Sequence, residues 1–306
     1  MKLRLIRGVA LFLAVAAAAA ASPLSVDPDF GQAAEFLRKQ NLAITCDGTR
    51  RDDTAAFIQE SLVVVGEKPG NPEHTYRPQR ELMAKRGAEI AAQRVLAEYA
   101  AGLPVNGEVL LRDAAAKHPA VEGALSAALH EADTLYKEYS PGKDRAIALV
   151  RLNLHGPQGL ATRLYEKLLR DPKMQKEFAW EKQVYNLRPE QPDTKHDGLI
   201  IDASALEFRP ALINRIFTVK GEVLYDPAKV NVRVLTEKGS GDYARSVEEA
   251  RGALARRGVK NPLVVKGSGL RTPPDVQVSG EDAAAIYAAA GASGFLLAAK
   301  VAFVMK

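Results

Sequence analysis

Residues 145–154, Arg-Ala-Ile-Ala-Leu-Val-Arg-Leu-Asn-Leu, alternate without a break: Ala146, Ala148, Val150, Leu152 and Leu154 fall on one face, and Arg145, Ile147, Leu149, Arg151 and Asn153 on the other. Successive side chains of a strand point to opposite sides of its sheet, so the pattern predicts a strand with one wholly apolar face and one mixed face. Gly156 and Pro157 end it, and Leu160, Leu164 and Leu168 then recur at the four-residue spacing of one helix face.

Working upstream, Leu62-Val-Val-Val is a β-branched run that predicts a strand stopped by Gly66 and the turn cluster Pro69-Gly70-Asn71-Pro72. A long helix is expected over 79–101, where Ala84, Ala88, Ala92, Val95, Leu96 and Tyr99 make a stripe of mainly small residues able to approach a sheet closely. Gly102 and Pro104 stop it; 109–111 begin another strand, and 114–130 another helix. Residues 30–51 predict a short helix running into an irregular stretch.

Downstream, 171–195 is polar and carries Pro172, Pro189 and Pro192, so it is expected to be a linker around a small helical piece bearing Phe178 and Trp180. Beyond it, strands are predicted at 198–203, 222–225, 230–235, 262–266 and 300–305. Two helices interleave with them. One covers about 243–257, with Ala244, Val247, Ala250 and Leu254 on a face; the other runs to Ala290 from a Ser279 cap ahead of Glu281 and Asp282. The expectation is an α+β protein of two modules, each a mixed or antiparallel sheet packed with helices.

Residues 1–21 have the order of a cleaved secretory signal peptide: basic Lys2, Arg4 and Arg7, an apolar run of about a dozen residues, then small residues. That run is short of the ~20 residues a spanning helix needs, and no later segment reaches that length. Removing the leader leaves 39 Lys and Arg against 37 Asp and Glu, nearly neutral where the whole chain is +5. With no basic run interleaved with aromatics, nucleic acid is not an expected partner. Cys46 is the sole cysteine, which excludes an internal disulfide, and it lies far from the cleavage site where a lipid-anchored protein needs its Cys.

The chemistry-bearing residues do not assemble into a motif. His74, His118, His130, His155 and His196 form no close pair on a helix face, so no metal centre is expected, and nothing near Cys46 would activate its thiol. Gly239-Ser240-Gly241 and Gly267-Ser268-Gly269 lack the flanking residues of a phosphate loop or nucleophile elbow. Arg256 and Arg257 fit the C-terminal end of a helix stopped by Gly258. Asp202, closing the apolar strand Leu199-Ile-Ile, is the site most worth testing, because strand ends present catalytic groups. Zinc-dependent cell-wall amidases follow such an Asp with Pro-Gly-His-Gly-Gly, whereas Ala203-Ser204-Ala205-Leu206 follow here, so a turn-capping role is expected. No catalytic, cofactor-binding or metal residue is assigned.

Residues 80–99 (Arg-Glu-Leu-Met-Ala-Lys-Arg-Gly-Ala-Glu-Ile-Ala-Ala-Gln-Arg-Val-Leu-Ala-Glu-Tyr), the Gly102-x-Pro-Val turn and the 146–154 strand together resemble the LPP-type lipoprotein and flagellar-assembly domain. Gly198-Leu-Ile-Ile-Asp-Ala, Arg209-Pro-Ala-Leu, Gly221-Glu-Val-Leu-Tyr, Asn261-Pro-Leu-Val-Val-Lys and Lys300-Val-Ala-Phe-Val resemble a region found beside that domain in exported bacterial proteins. Read with the residue patterns, which give a signal peptide (1–21), a lead-in (22–60) and a linker (171–195), the resemblance implies an LPP-type domain (61–170) and a C-terminal domain (196–306). It also implies a non-enzymatic structural or assembly protein, periplasmic or peripheral to the outer membrane. Its partners would be envelope proteins, identical copies or components of the flagellar basal body. Two alternatives stay open: a hydrolase of peptidoglycan or its peptides using Asp202 with Asp197 or His196, and a module that binds a small ligand or the cell wall.

Overall fold

The computed structural model describes residues 24–107, 109–170 and 195–306 of an α+β chain. The expected leader at 1–21 and the linker at 171–195, save Lys195, lie outside the described residues, as do Phe178 and Trp180. Its first part runs α1 (Gly31–Gln40), α2 (Asp53–Ile58), β1 (Ser61–Pro69), α3 (Arg77–Ala101), β2 (Pro104–Asn106) and β3 (Val109–Leu110), then α4 (Leu111–Lys117), α5 (Pro119–His130), β4 (Asp133–Ser140), β5 (Arg145–Asn153) and α6 (Leu160–Arg170).

The alternating strand, β5, is the centre of an antiparallel sheet of order β1-β5-β4, and it pairs with β1 from Ser61↔Asn153 to Pro69↔Arg145. Its apolar face packs with Ala84, Ala88 and Ala92 of α3 in the main core. Its mixed face is covered as well: Ile147 and Leu149 join Val63, Val65, Phe30, Ala33, Leu37 and Ile44 in a second cluster under α1. Two apolar side chains among the polar residues of that face thus mark where the N-terminal segment lies. Each fully buried Leu or Ile of this kind contributes about 1.5–3 kcal/mol relative to exposure.

Gly66 does not stop β1, which continues to Pro69. An added Cβ at Gly66 would stand 2.1 Å from the Ala92 backbone nitrogen and 2.5 Å from the Ala88 carbonyl oxygen. The glycine lets α3 lie directly on the strand, and the alanine stripe is its counterpart. The single helix expected over 114–130 is two, since His118 is extended (φ −127, ψ 101) ahead of Pro119, which opens α5. The proline ring clashes with a helical residue before it, which forces that break. Leu111, expected to continue a strand, instead opens α4 with its side chain fully buried.

The second part comprises β6 (Gly198–Asp202), β7 (Ile216–Thr218), β8 (Val223–Tyr225), α7 (Val232–Lys238), β9 (Asp242–Ala244), α8 (Val247–Arg256), β10 (Pro262–Lys266), β11 (Gly269–Thr272), β12 (Asp275–Val278), α9 (Gly280–Ser293) and β13 (Val301–Val304). One sheet, of order β10-β6-β13-β9, is parallel at every pairing. Leu199, Ile201, Val301 and Phe303 face the main core, while Ile200, Ala302 and Val304 face Ala250 and Leu254 of α8. Burial on both faces is why these strands read as continuous apolar runs. The other sheet, β11-β12-β7-β8, mixes parallel and antiparallel pairs.

Two expectations in this part are corrected. Residues 230–235 are not a strand: the Asn231 side chain accepts the Arg233 N–H and starts α7, in which only Leu235 is fully buried. One-sided burial suits a helical turn better than an inner strand. Tyr243 and Ala244 belong to β9 and not to the following helix, which begins after Ser246. The Ser246 hydroxyl accepts the Glu249 N–H at 3.1 Å while the Glu249 carboxylate accepts the Arg245 N–H at 2.8 Å, a reciprocal arrangement close to a capping box. The Ser279 cap is found as expected, its hydroxyl accepting from Asp282 N–H at 3.1 Å. Among the described residues no helix is long and apolar enough to cross a membrane.

The two parts share one core. Phe57 of α2 meets Tyr243 of β9 edge-on at 5.3 Å, and the Leu212 and Ile213 N–H groups donate to the Pro104 and Val105 carbonyls at 3.0 and 2.8 Å.

Candidate functional site

Two clefts open along this seam, and α2 stands between them. The larger, about 510 Å³, has Arg51, Asp53, Thr54, Pro104 and Leu110 on one side and Phe208, Arg209, Pro210, Pro273 and Pro274 on the other. Its prolines have fixed φ and no N–H, so the walls are stiff and present carbonyls and ring faces. Asp52 caps α2 by accepting the Ala55 N–H at 2.8 Å, which sets the edge of the cleft. Arg51 is held in place: its guanidinium lies 4.6 Å over the Tyr99 ring, 3.0 Å from an Asp53 carboxylate oxygen and 3.3 Å from the Gly102 carbonyl.

Arg209 differs from Arg51. Its backbone N–H donates to the Pro273 carbonyl at 3.0 Å, which fixes the main chain, and its exposed guanidinium has no ion pair or hydrogen bond among the described residues. A rigid, partly apolar groove with one unengaged fork of N–H donors can hold an extended chain carrying a carboxylate or carbonyl at a defined place.

The smaller cleft, about 320 Å³, is polar and is lined by Gln59, Glu60, Lys238, Asp242, Arg256 and Arg257 among others. Glu60 takes φ +56, a left-handed conformation uncommon for residues other than glycine, where α2 turns into β1. Burial and then the nearby charge of Asp242 push its carboxyl above the ordinary range. Arg257 is engaged on three sides, by Asp242, by the Ala299 carbonyl at 2.9 Å and by the Lys238 carbonyl. It does more than sit at a helix end, although Gly258 does end that helix, with φ +78. The distance in sequence between Asp242 and Arg257 hid this link.

The residues singled out in the sequence do not converge. Asp202 accepts from the Ser204 hydroxyl and N–H at 2.6 and 3.1 Å and so caps the turn after β6. Asp197 lies at the other end of that strand, roughly 16 Å away at the usual rise per residue, where it accepts the Lys260 and Asn261 N–H groups. Those bonds hold its carboxyl below the usual range against the effect of burial, the largest single influence on it. His196 adjoins Asp197, so the residues considered for hydrolysis flank β6 at opposite ends. Cys46 is buried beside β1, and burial raises its thiol pKa.

The Ser240 hydroxyl donates to the Leu212 carbonyl at 3.2 Å, and the Ser268 hydroxyl to the Gln277 carbonyl at 3.1 Å. His155 packs its ring against Gly239 and stacks on Tyr165 at 6.3 Å; His130 bonds the Ser126 carbonyl at 2.8 Å; His74 lies in the loop before α3, and His118 precedes α5. Among the described residues no group of three or more His, Cys, Asp and Glu could hold a metal ion. Neither cleft was foreseen, because each draws its walls from segments more than a hundred residues apart.

No curated protein matches the chain. The resemblance to the LPP-type lipoprotein and flagellar-assembly domain is corrected, because the family match is to a different family and lies in the C-terminal part. The alanines of α3 that suggested it follow from packing on Gly66, a requirement any helix laid this closely on a strand would share. Residues 198–306, from the start of β6 to the end of the chain, match the sequence model of the family described as Treponema pallidum Tp0624, second domain.

Proposed function

We propose that this chain is a non-enzymatic binding or assembly protein of the cell envelope that receives an extended segment of a protein partner in the proline-walled cleft. The observation that carries the proposal is the unengaged Arg209 guanidinium on a groove walled by Pro104, Pro210, Pro273 and Pro274. Stiff walls reduce the ordering cost of binding, and a planar guanidinium pairs with a carboxylate in two parallel bonds. A periplasmic setting, or one peripheral to the outer membrane, is part of the proposal and is supported by the leader-like order of residues 1–21.

The test is site-specific photocrosslinking in cells, with the crosslinker at Leu110 or Pro274 of the cleft and, as control, at Gly123 on α5. The expected result is one discrete adduct from the cleft positions, absent at Gly123 and lost in Arg209→Glu; an adduct of twice the chain's mass would identify a second copy as the partner. Adducts that are the same at Gly123 or unaffected by Arg209→Glu would overturn the proposal.

A further inference from the structure

Away from the seam, a third cavity of about 230 Å³ opens between β8, the turn that follows it and α9. Leu224, Ala290, Leu296 and Leu297 form its apolar wall, with Tyr225, Tyr287 and Lys229 also lining it, and Gly291 of α9 leaves space there, since an added Cβ would meet nothing within 4 Å. Within this apolar lining lies one deeply buried carboxylate, Asp226, only 8% exposed. Its Oδ1 accepts the Ala228 N–H at 2.8 Å and starts the turn Pro227–Lys229. Among the described residues its other oxygen accepts no hydrogen bond and the residue forms no ion pair; Arg215, one of the two cations whose charge reaches it, is bound to Asp275 at 2.7 Å, and Lys229 is the other.

A carboxylate on a mostly buried residue, with one oxygen open to a largely apolar cavity, defines the guest that fits. A purely apolar guest would cover that oxygen without bonding it, and an anionic guest would meet a like charge. A guest with an apolar body and an ammonium head places both parts favourably. We propose that this cavity is a binding site for a small apolar primary amine, an aryl- or alkylammonium, whose body lies on Leu224, Leu296 and Leu297 and whose ammonium donates to Asp226. The proposal stands apart from the partner-binding cleft and does not depend on it.

Calorimetric titration of the full chain with 2-phenylethylamine, 2-phenylethanol and 3-phenylpropionate tests this directly. The expected result is saturable binding of the amine, roughly tenfold weaker binding of the alcohol and none of the acid. Asp226→Asn keeps an oxygen for the Ala228 N–H and is expected to weaken the amine roughly tenfold; Gly291→Leu fills the cavity and is expected to abolish binding. The proposal is overturned by an absence of saturable amine binding, by binding of the acid as tight as the amine, or by amine binding unchanged in Asp226→Asn. Should Asp226→Asn not fold, Gly291→Leu decides: retained binding overturns the proposal, and lost binding in a folded variant supports it.

Discussion

The Arg257 guanidinium sits with its Nε 2.7 Å from a carboxylate oxygen of Asp242, and both side chains are almost wholly shielded, at 6% and 11% exposure. The pair ties the end of α8 to the start of β9, and the further bonds of Arg257 to the Ala299 and Lys238 carbonyls bring in the approach to β13 and the end of α7. Removing one partner of a shielded pair leaves the other charge uncompensated, at a cost of about 3–5 kcal/mol. Arg257→Met is therefore expected to lower the urea midpoint strongly. Arg257→Met with Asp242→Leu should recover much of the loss, and a double variant no better than the single one would refute this account.

Glycines in equivalent-looking places should respond with opposite signs. Gly66→Ala pushes a methyl into the α3 backbone and is expected to destabilise by about 1–3 kcal/mol or more. Gly252, inside α8, meets nothing within 4 Å; Gly252→Ala should stabilise by about 0.5–1 kcal/mol, because alanine loses less backbone freedom on folding. Denaturant midpoints of the two variants against the parent chain check both signs.

His155 should make stability depend on pH in mildly acidic solution. Burial first, and then the charge of Arg257, lower its pKa to about 4, against about 6.5 in an unfolded chain. Between those values the unfolded state binds more protons, so stability rises with pH across the window. The contribution is complete above about pH 6.5, is lost as pH falls to 4, and amounts to about 3 kcal/mol at most. His155→Phe keeps a ring against Tyr165 and removes the titration. Across pH 7.5, 5.5 and 4.5 the parent's midpoint should fall by more than that of His155→Phe, and parallel curves would count against the account.

The two arginines of the large cleft should separate cleanly by stability. Arg209→Ala removes no side-chain bond among the described residues and is expected to stay within about 0.5 kcal/mol of the parent. Arg51→Ala loses the Tyr99 ring contact and the Asp53 and Gly102 bonds, for about 1–2 kcal/mol. Equal losses at the two positions would show that Arg209 has a structural partner after all.

Where burial follows one periodicity along a single element, the fold was legible in the residues themselves. Alternation over 145–154 and the Leu160, Leu164, Leu168 spacing predicted β5 and α6, and the alanine stripe predicted α3. The errors occurred where a local preference met a tertiary demand. Gly66 has the look of a stop, yet it is the point where α3 touches β1; Val232 and Val234 favour a strand by type, yet they lie in a helix begun by Asn231. The Ser246 to Glu249 cap was present in the sequence as Ser-Val-Glu-Glu and marked the boundary that 243–257 ran through.

By itself the sequence determined the α+β class, the alternating strand at 145–154, the apolar strand at Leu199-Ile-Ile and the near-neutral charge that follows removal of the expected leader. All of these are set by neighbours along the chain, through side-chain period and composition. Tertiary structure alone decided that Arg51, Arg209 and Pro273 line one cleft, that Arg257 answers Asp242, and that the 145–154 strand is the centre of its sheet. The physical reason is that period reports which face of an element is buried but not what is buried against it, and a binding site is a relation between faces.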